Sequence, residues 1–359
     1  MEDKIKSIIV TIIFSLFLFT FLFLNLIKKD DVISATERRL LARMPKLSVK
    51  KVFDGSFFEG FDAYTTDQFI KRDDFRKIKA DLELLTKKNY NNLYVYNDYI
   101  IKQMYPLDEK SVLRVIDKIN YIKENYLKDN KIYFSIIPDK NYYVSNGNLK
   151  LDYKKMEDIM KNNLEYAKYI DMFSLLSLDN YYKTDTHWKE ETLINVANSL
   201  SKNMNFNLSN TYNSETLSSF KGVYKGQLPI NISNDNIVIL TNDTIKNSKV
   251  YNYEDNSVGD VYNISKLSGL DKYDVYLSGA SSLLTITNKQ NNTNRELIVF
   301  RDSYASSLIP LIIEGYSKIT LVDTRYISPK ILDNYIDFDN QDIYFLYSAL
   351  LINDSYSMK

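Results

Sequence analysis

The chain has 359 residues, 45% apolar and 26% charged, with only 9 Gly and 6 Pro, the make-up of a folded protein able to bury a sizeable core. Its 46 basic and 46 acidic side chains cancel and are interspersed, so no basic field exists to hold a phosphate backbone, and nucleic acid is excluded as a partner. Cysteine is absent, which removes disulfides, thiolate metal sites and thiol nucleophiles; a single histidine cannot build a His-rich metal site, and no metal or other cofactor is expected.

After an N-terminal tail (1–7), Ile8 to Ile27 runs without a charge, broken only by Thr11, Ser15, Thr20 and Asn25. At about 1.5 Å per residue this is roughly 30 Å, one hydrocarbon core, which predicts a transmembrane anchor. A cleaved signal peptide is the rival, but its apolar region is only about 7 to 15 residues long. A buried core helix fits poorly, since the run is apolar on every face. Lys4 and Lys6 on one side face Lys28 and Lys29 on the other, so charge alone does not orient the span. Residues 28–50 read as a juxtamembrane connector, charged from Ser34 and stopping at Pro45, and 51–359 as one domain.

Within that domain Val52 to Thr86 is helical in large part. Val95 to Lys102 carries apolar residues on both sides of Asn97-Asp98, a hairpin signature. Val112, Val115, Ile116, Ile119, Ile122 and Tyr126 fall at helical spacing, and Lys131 to Ile137 follows as an apolar strand ending at Pro138. Thr192 to Met204 repeats the helical pattern. Leu297–Phe300, Ile319–Val322 and Ile343–Leu346 are short buried strands, and an apolar helix is predicted from Leu308. Buried strands alternating with helices imply an α/β domain with a mainly parallel sheet. Between about 205 and 292 the texture turns to Asn, Ser, Thr and Tyr with short alternating runs such as Asn236–Leu240 and Val250–Tyr253, which reads as a β-rich insertion.

Two stretches can carry chemistry. The sole histidine, His187, follows Asp185 by two residues in a turn-like segment, so the carboxylate can reach the imidazole and fix its tautomer; the plainer alternative is a surface or capping pair. Leu297 to Ser307 is a buried strand running into a small polar turn. There Ser303 can present its hydroxyl beside free backbone N–H groups at a strand's carboxyl end, although a helix-capping role fits the same residues. The two signals reinforce each other, because a hydroxyl nucleophile needs a base and the chain has one imidazole. Arg325, just past the Ile319 strand, can face the same strand-end crevice and bind an anionic sugar or an oxyanion, or pair with Asp323. Trp188 can pack on a sugar face or anchor the following helix in the core. Gly279 and Tyr304 are further candidates for oxyanion or substrate contacts.

Asp-Thr-His-Trp at 185–188 with Arg-Asp-Ser-Tyr at 301–304 resembles the DHHW family, relatives of the alginate O-acetylation proteins with a rearranged SGNH-hydrolase-like fold. Upstream, Glu37 to Pro45, Asp67-Gln68-Phe69 with Arg72, and Pro138-Asp139-Lys140 also look like family stretches in family order. So do Phe220-Lys221-Gly222 and Val322 to Tyr326, and the likeness covers about 34–350. The resemblance implies that Asp185 and His187 are the family's Asp-His pair and Ser303 its nucleophile, in an order opposite to that of ordinary SGNH hydrolases. The sequence departs from the family at Thr186, in place of a second histidine, and at Ala280 and Ser348, where Asn is expected. The function implied is O-acetyl transfer or acetylester cleavage on a cell-surface or exported polysaccharide. It would be performed outside the cytoplasm by a single-pass membrane protein, with acetyl groups supplied through a multi-pass membrane acyltransferase. The alternative is a non-catalytic glycan-binding or scaffold subunit of such a machine.

Overall fold

A computed structural model of the chain describes residues 2–145 and 147–359; Met1, in the expected 1–7 tail, lies outside them. The described chain divides into two compact units, residues up to 90 with 225–231, and residues 91–224 with 232–359. Sequence texture suggested a domain beginning at 51, whereas compactness draws its line at Tyr90 and Asn91.

The first unit opens with α1 (Glu2–Ile27), whose segment Lys4–Ile27 is long and apolar enough to cross a membrane and fits an anchor or a signal sequence. A two-stranded ladder of β1 (Ile33–Ser34) and β2 (Arg39–Leu40) precedes three helices, α2 (Val49–Phe53), α3 (Ser56–Asp67) and α4 (Arg72–Lys87). Arg39 pairs with both oxygens of Asp67 at 2.8 and 2.5 Å, Arg72 with Glu37 at 2.6 Å, and the Gln68 amide bonds the backbone of Asp31 and Ala42. The stretches Glu37–Pro45 and Asp67–Arg72 are thus joined by charge-assisted hydrogen bonds.

The second unit begins with the hairpin of β3 (Leu93–Tyr96) and β4 (Tyr99–Lys102), turned by Asn97 and Asp98 with φ of 46° and 64°, the left-handed pair that a two-residue hairpin demands. Then come α5 (Glu109–Tyr126), β5 (Ile132–Ile137), α6 (Tyr153–Asn163), β6 (Lys168–Tyr169) and α7 (Ile194–Met204). Next are β7 (Asn213–Phe220), β8 (Asp235–Thr241), β9 (Lys249–Asn252), β10 (Ser257–Asp260), β11 (Leu283–Thr287), β12 (Glu296–Arg301), β13 (Lys318–Val322) and β14 (Asp342–Ser348). The main sheet has the order β10-β9-β11-β13-β12-β14-β5-β6. Its strands β13, β12, β14, β5 and β6 are parallel, and β11, β9 and β10 extend it antiparallel. The segment read as a β-rich insertion is divided between a separate β7–β8 ribbon and this antiparallel extension.

Alternation splits each central strand between two cores. Leu297 and Val299 pack with α7 through Val196, Ala197 and Leu200, while Ile298 and Phe300 pack with α5 and α6 through Val115, Ile119 and Met156. Covering both faces is why these strands read as unbroken apolar runs. The helix predicted from Leu308 is mostly absent: one turn at Ala305–Leu308 gives way to a 3-10 run, Ile309–Gly315. Pro310 in the first turn of that run lacks an N–H, so it cannot donate back to the preceding α-turn.

Candidate active site

The carboxyl ends of four parallel strands deliver the chain to one edge of the sheet: Ser303 after β12, Asp323 and Arg325 after β13, Ser348 at the end of β14, and Asp139 and Lys140 after β5. That edge is where ligands bind in open α/β sheets. Ser303 lies on a tight turn pinned by Asp302, one of whose carboxylate oxygens accepts from the Tyr304 N–H at 3.1 Å and the other from the Ser348 N–H at 2.8 Å.

His187 comes from a loop without regular structure. Tyr181 and Trp188 form an isolated antiparallel bridge, and the Tyr182 N–H donates to the His187 carbonyl at 3.0 Å, leaving Lys183 to Thr186 as the tip. Asp235 holds that tip by accepting from the N–H groups of Lys183 and Thr184, each at 2.8 Å, and from the Thr184 hydroxyl at 2.6 Å. On the other side the buried Lys140 ammonium donates to the carbonyls of Tyr182 and Lys183 at 3.0 and 3.3 Å. Gly222 lies so close beneath that a Cβ there would come within 2.4 Å of the Thr184 carbonyl carbon and 2.5 Å of the Asp185 Cβ. The Gly222 N–H donates to the Thr184 hydroxyl and the Val223 N–H to Asp185 Oδ2.

These supports bring the three residues into one relay. Asp185 Oδ1 is 2.7 Å from His187 Nδ1, and His187 Nε2 is 2.8 Å from Ser303 Oγ. Burial, the largest influence on Asp185, works to raise its pKa. The hydrogen bond and charge of His187, with the N–H groups of Val223 and His187, outweigh it and hold the carboxyl below the usual carboxylate range. An ionised carboxylate only accepts, so in a neutral imidazole Nδ1 carries the proton and Nε2 is left as acceptor for the Ser303 hydroxyl. The ring is clamped flat by Tyr273, stacked at 3.9 Å between centroids and 8° between planes, whose own hydroxyl is 2.8 Å from that of Ser307. Across the gap, the Tyr304 hydroxyl donates to the Thr186 carbonyl at 2.7 Å and the Trp188 indole to the Tyr304 carbonyl at 2.8 Å, tying the two loops together.

For the other candidate residues the structure shows contacts within the protein. Trp188 is wholly buried, with its one donor committed to Tyr304, so no face remains for a sugar, and it is a core anchor. Arg325 makes a two-pronged ion pair with the buried Asp323, at 2.9 and 2.6 Å, instead of extending free into the crevice. The Gly279 N–H donates to the Tyr276 carbonyl, and the Tyr304 N–H to Asp302, so neither is free for an oxyanion. The Ser303 N–H, by contrast, donates to no acceptor among the described residues. Ser348, where Asn was expected, caps the helix Ala349–Asn353 by accepting from the Leu351 N–H; Ala280 is exposed. Among the described residues no cluster of metal-ligating side chains occurs.

Asp235, Tyr273 and the Gly222–Val223 backbone escaped sequence reasoning as site residues. Only Gly222 left a trace, in the Phe220-Lys221-Gly222 stretch; Tyr273 is one of 30 tyrosines and Asp235 one of many acids.

No family model matches the sequence, and no curated protein matches it. Solved structures do. A DHHW family protein from Eubacterium siraeum superposes with a TM-score of 0.61 at 19% identity, over 74% of this chain and 93% of that one. PatB1 from Bacillus cereus, solved with a sulfonyl adduct, gives 0.56 at 16% identity over 75% and 96%, and a further PatB1 structure gives 0.53 at 16% over 72% and 96%. The fold shared by the DHHW family protein and PatB1 is the fold of this chain, as the resemblance to the DHHW proteins implied.

Proposed function

We propose that this protein is a serine-dependent O-acetyltransferase or acetylesterase, anchored by α1, whose second unit works on a carbohydrate outside the cytoplasm. The observation that carries the reading is the unbroken relay from Asp185 through His187 to Ser303, with links of 2.7 and 2.8 Å. His187 Nε2 takes the proton of Ser303 Oγ as that oxygen bonds to the carbonyl carbon of an acetyl ester. The resulting oxyanion meets the free Ser303 N–H, and the imidazolium returns the proton to the departing alkoxide. Acetyl-Ser303 then passes its acyl group to a hydroxyl deprotonated by His187, that of a sugar in a transferase or of water in an esterase. The family motifs at 185–188 and 301–304 favour an exported or cell-surface polysaccharide as acceptor and a multi-pass membrane acyltransferase as the source of acetyl groups. PatB1, which shares the fold, has been captured with a sulfonyl adduct, and a sulfonyl fluoride is a reagent suited to an activated serine.

The test is acetate release and intact mass with an activated acetyl ester, on the full-length chain in detergent. Native protein should release acetate at least about 10³-fold faster than Ser303→Ala or His187→Ala, and only native protein should take up a sulfonyl fluoride. A folded native chain that does neither would reject the enzyme and leave a glycan-binding subunit in its place.

A further inference from the structure

We infer that α4 is a membrane-interface helix: its outward apolar stripe lies in the lipid headgroup and acyl boundary on the side of the bilayer that carries the globular domain. The inference rests on α1 being a membrane anchor.

The helix is built inside out. Phe75, Ile78, Leu82 and Leu85 are 42%, 56%, 57% and 80% exposed. At 100° per residue they share an arc of about 80°. The side turned to protein carries Arg72 and Arg76 instead, both drawn to Glu37 at 2.6 and 3.4 Å, followed by the buried Ala80 and the half-buried Leu84. A helix of a water-soluble unit turns its apolar stripe inward; one that presents charge to protein and apolar surface outward needs an apolar medium on that side.

The stripe starts on the anchor itself. The Phe21 ring of α1 stacks on Phe69 at 5.6 Å and 9°, and both rings meet Phe75 edge-on at 5.7 and 5.6 Å. Asn25 Oδ1 accepts from the Ile70 N–H at 2.7 Å, fixing the chain entering α4 to the last turns of α1. The apolar segment Lys4–Ile27 has 24 residues. That is about 36 Å of helix, roughly one turn more than a 30 Å hydrocarbon core. With Lys4 at one boundary, the other falls within a turn of Phe21. Phe75 therefore sits at the membrane surface, and lipid is the occupant that continues from the anchor onto the stripe.

The chain has no cysteine, so each introduced cysteine is unique. Spin labels would be attached to full-length protein carrying Ile78→Cys, Leu82→Cys or Leu85→Cys. Lys77→Cys and Asp81→Cys report the exposed polar side, and Phe17→Cys reports the anchor. In phosphatidylcholine and phosphatidylglycerol vesicles, collision with oxygen should exceed collision with a water-soluble nickel chelate at 78, 82 and 85 by several-fold relative to 77 and 81, with 17 behaving as the stripe does. Stripe labels as open to nickel as 77 and 81, with 17 still in lipid, would overturn the interfacial helix and leave the stripe to a protein partner. Nickel access at 17 would reject the anchor, and the inference with it.

Discussion

The two loops that meet at the candidate site are fixed in opposite ways. The Ser303 turn grows out of β12, whose neighbours β13 and β14 are both parallel and whose residues from Leu297 to Phe300 are wholly buried; one aspartate, Asp302, completes it. The His187 loop has no such root. It is suspended between Asp235, Lys140, the Gly222–Val223 backbone and Tyr304, which lie between 35 and 117 positions from His187 along the chain. A nucleophile on a strand end inherits rigidity from the sheet, whereas a base on an irregular loop is only as well placed as the polar groups around it. The His187 side should therefore be where activity is lost without loss of the fold.

Gly222→Ala should show this most strongly. Its Cβ would be driven to 2.4 Å from the Thr184 backbone, and since backbone cannot swing aside as a flexible side chain can, the loop must lift and carry Asp185 with it. A displacement near 1 Å is enough to cost about 10²-fold in rate. We expect kcat for an acetyl ester to fall at least that far while far-UV circular dichroism stays native. Asp235→Ala comes next, removing an acceptor shared by three donors at the loop tip. Urea unfolding should show a loss of about 2 to 3 kcal/mol, with about tenfold lower activity. An equal rate for either variant and the native chain would mean that the loop is held some other way.

The same contrast marks how far the sequence could be read. Leu297–Phe300, Ile319–Val322 and Ile343–Leu346 announced the parallel sheet because burial on both faces writes a continuous apolar run. Asn97-Asp98 announced its hairpin because two consecutive left-handed residues restrict the choice of side chain. Ser303 was legible through its place after such a strand, and His187 through being the sole imidazole. The supports of His187 were not, since a carboxylate at 235 accepting from N–H groups at 183 and 184 is a tertiary fact with no local periodicity. At Trp188 and Arg325 the sequence left two readings open, because aromatic and cationic side chains suit a sugar and a core or ion pair equally well; burial decides the first and the two-pronged pairing with Asp323 the second.

Lys140 offers a pH-dependent probe of the suspended loop. Burial pushes its ammonium down to about 7, against the pull of Asp185, Asp235 and Asp139. Its unfolded value is near 10.5, so between these limits the unfolded chain holds a proton that the folded chain has released, and stability rises with pH. The penalty is full below about 7 and is relieved as pH climbs toward 10.5. Lys140→Met has no such group, so from pH 7 to 9 the native chain should gain about 2 kcal/mol relative to the variant in urea unfolding. Parallel curves would show that the lysine stays charged throughout, its two carbonyl partners then outweighing burial.

The smallest effect should come from Trp188→Phe, and its pattern matters more than its size. The indole is fully buried, stands edge-on to Tyr304 at 5.6 Å, and spends its single N–H on the Tyr304 carbonyl beside the nucleophile turn. Phenylalanine keeps most of the apolar volume but removes the indole donor from that carbonyl and opens a small void, together about 1 to 2 kcal/mol. A core anchor that loses this much lowers the melting temperature by several degrees and leaves KM for a carbohydrate acceptor unchanged. A sugar platform would do the reverse, raising KM with little change in melting, because the truncated ring would remove contact with substrate and not with Tyr304. Measuring both on one variant separates the roles, and the burial of Trp188 predicts the first outcome.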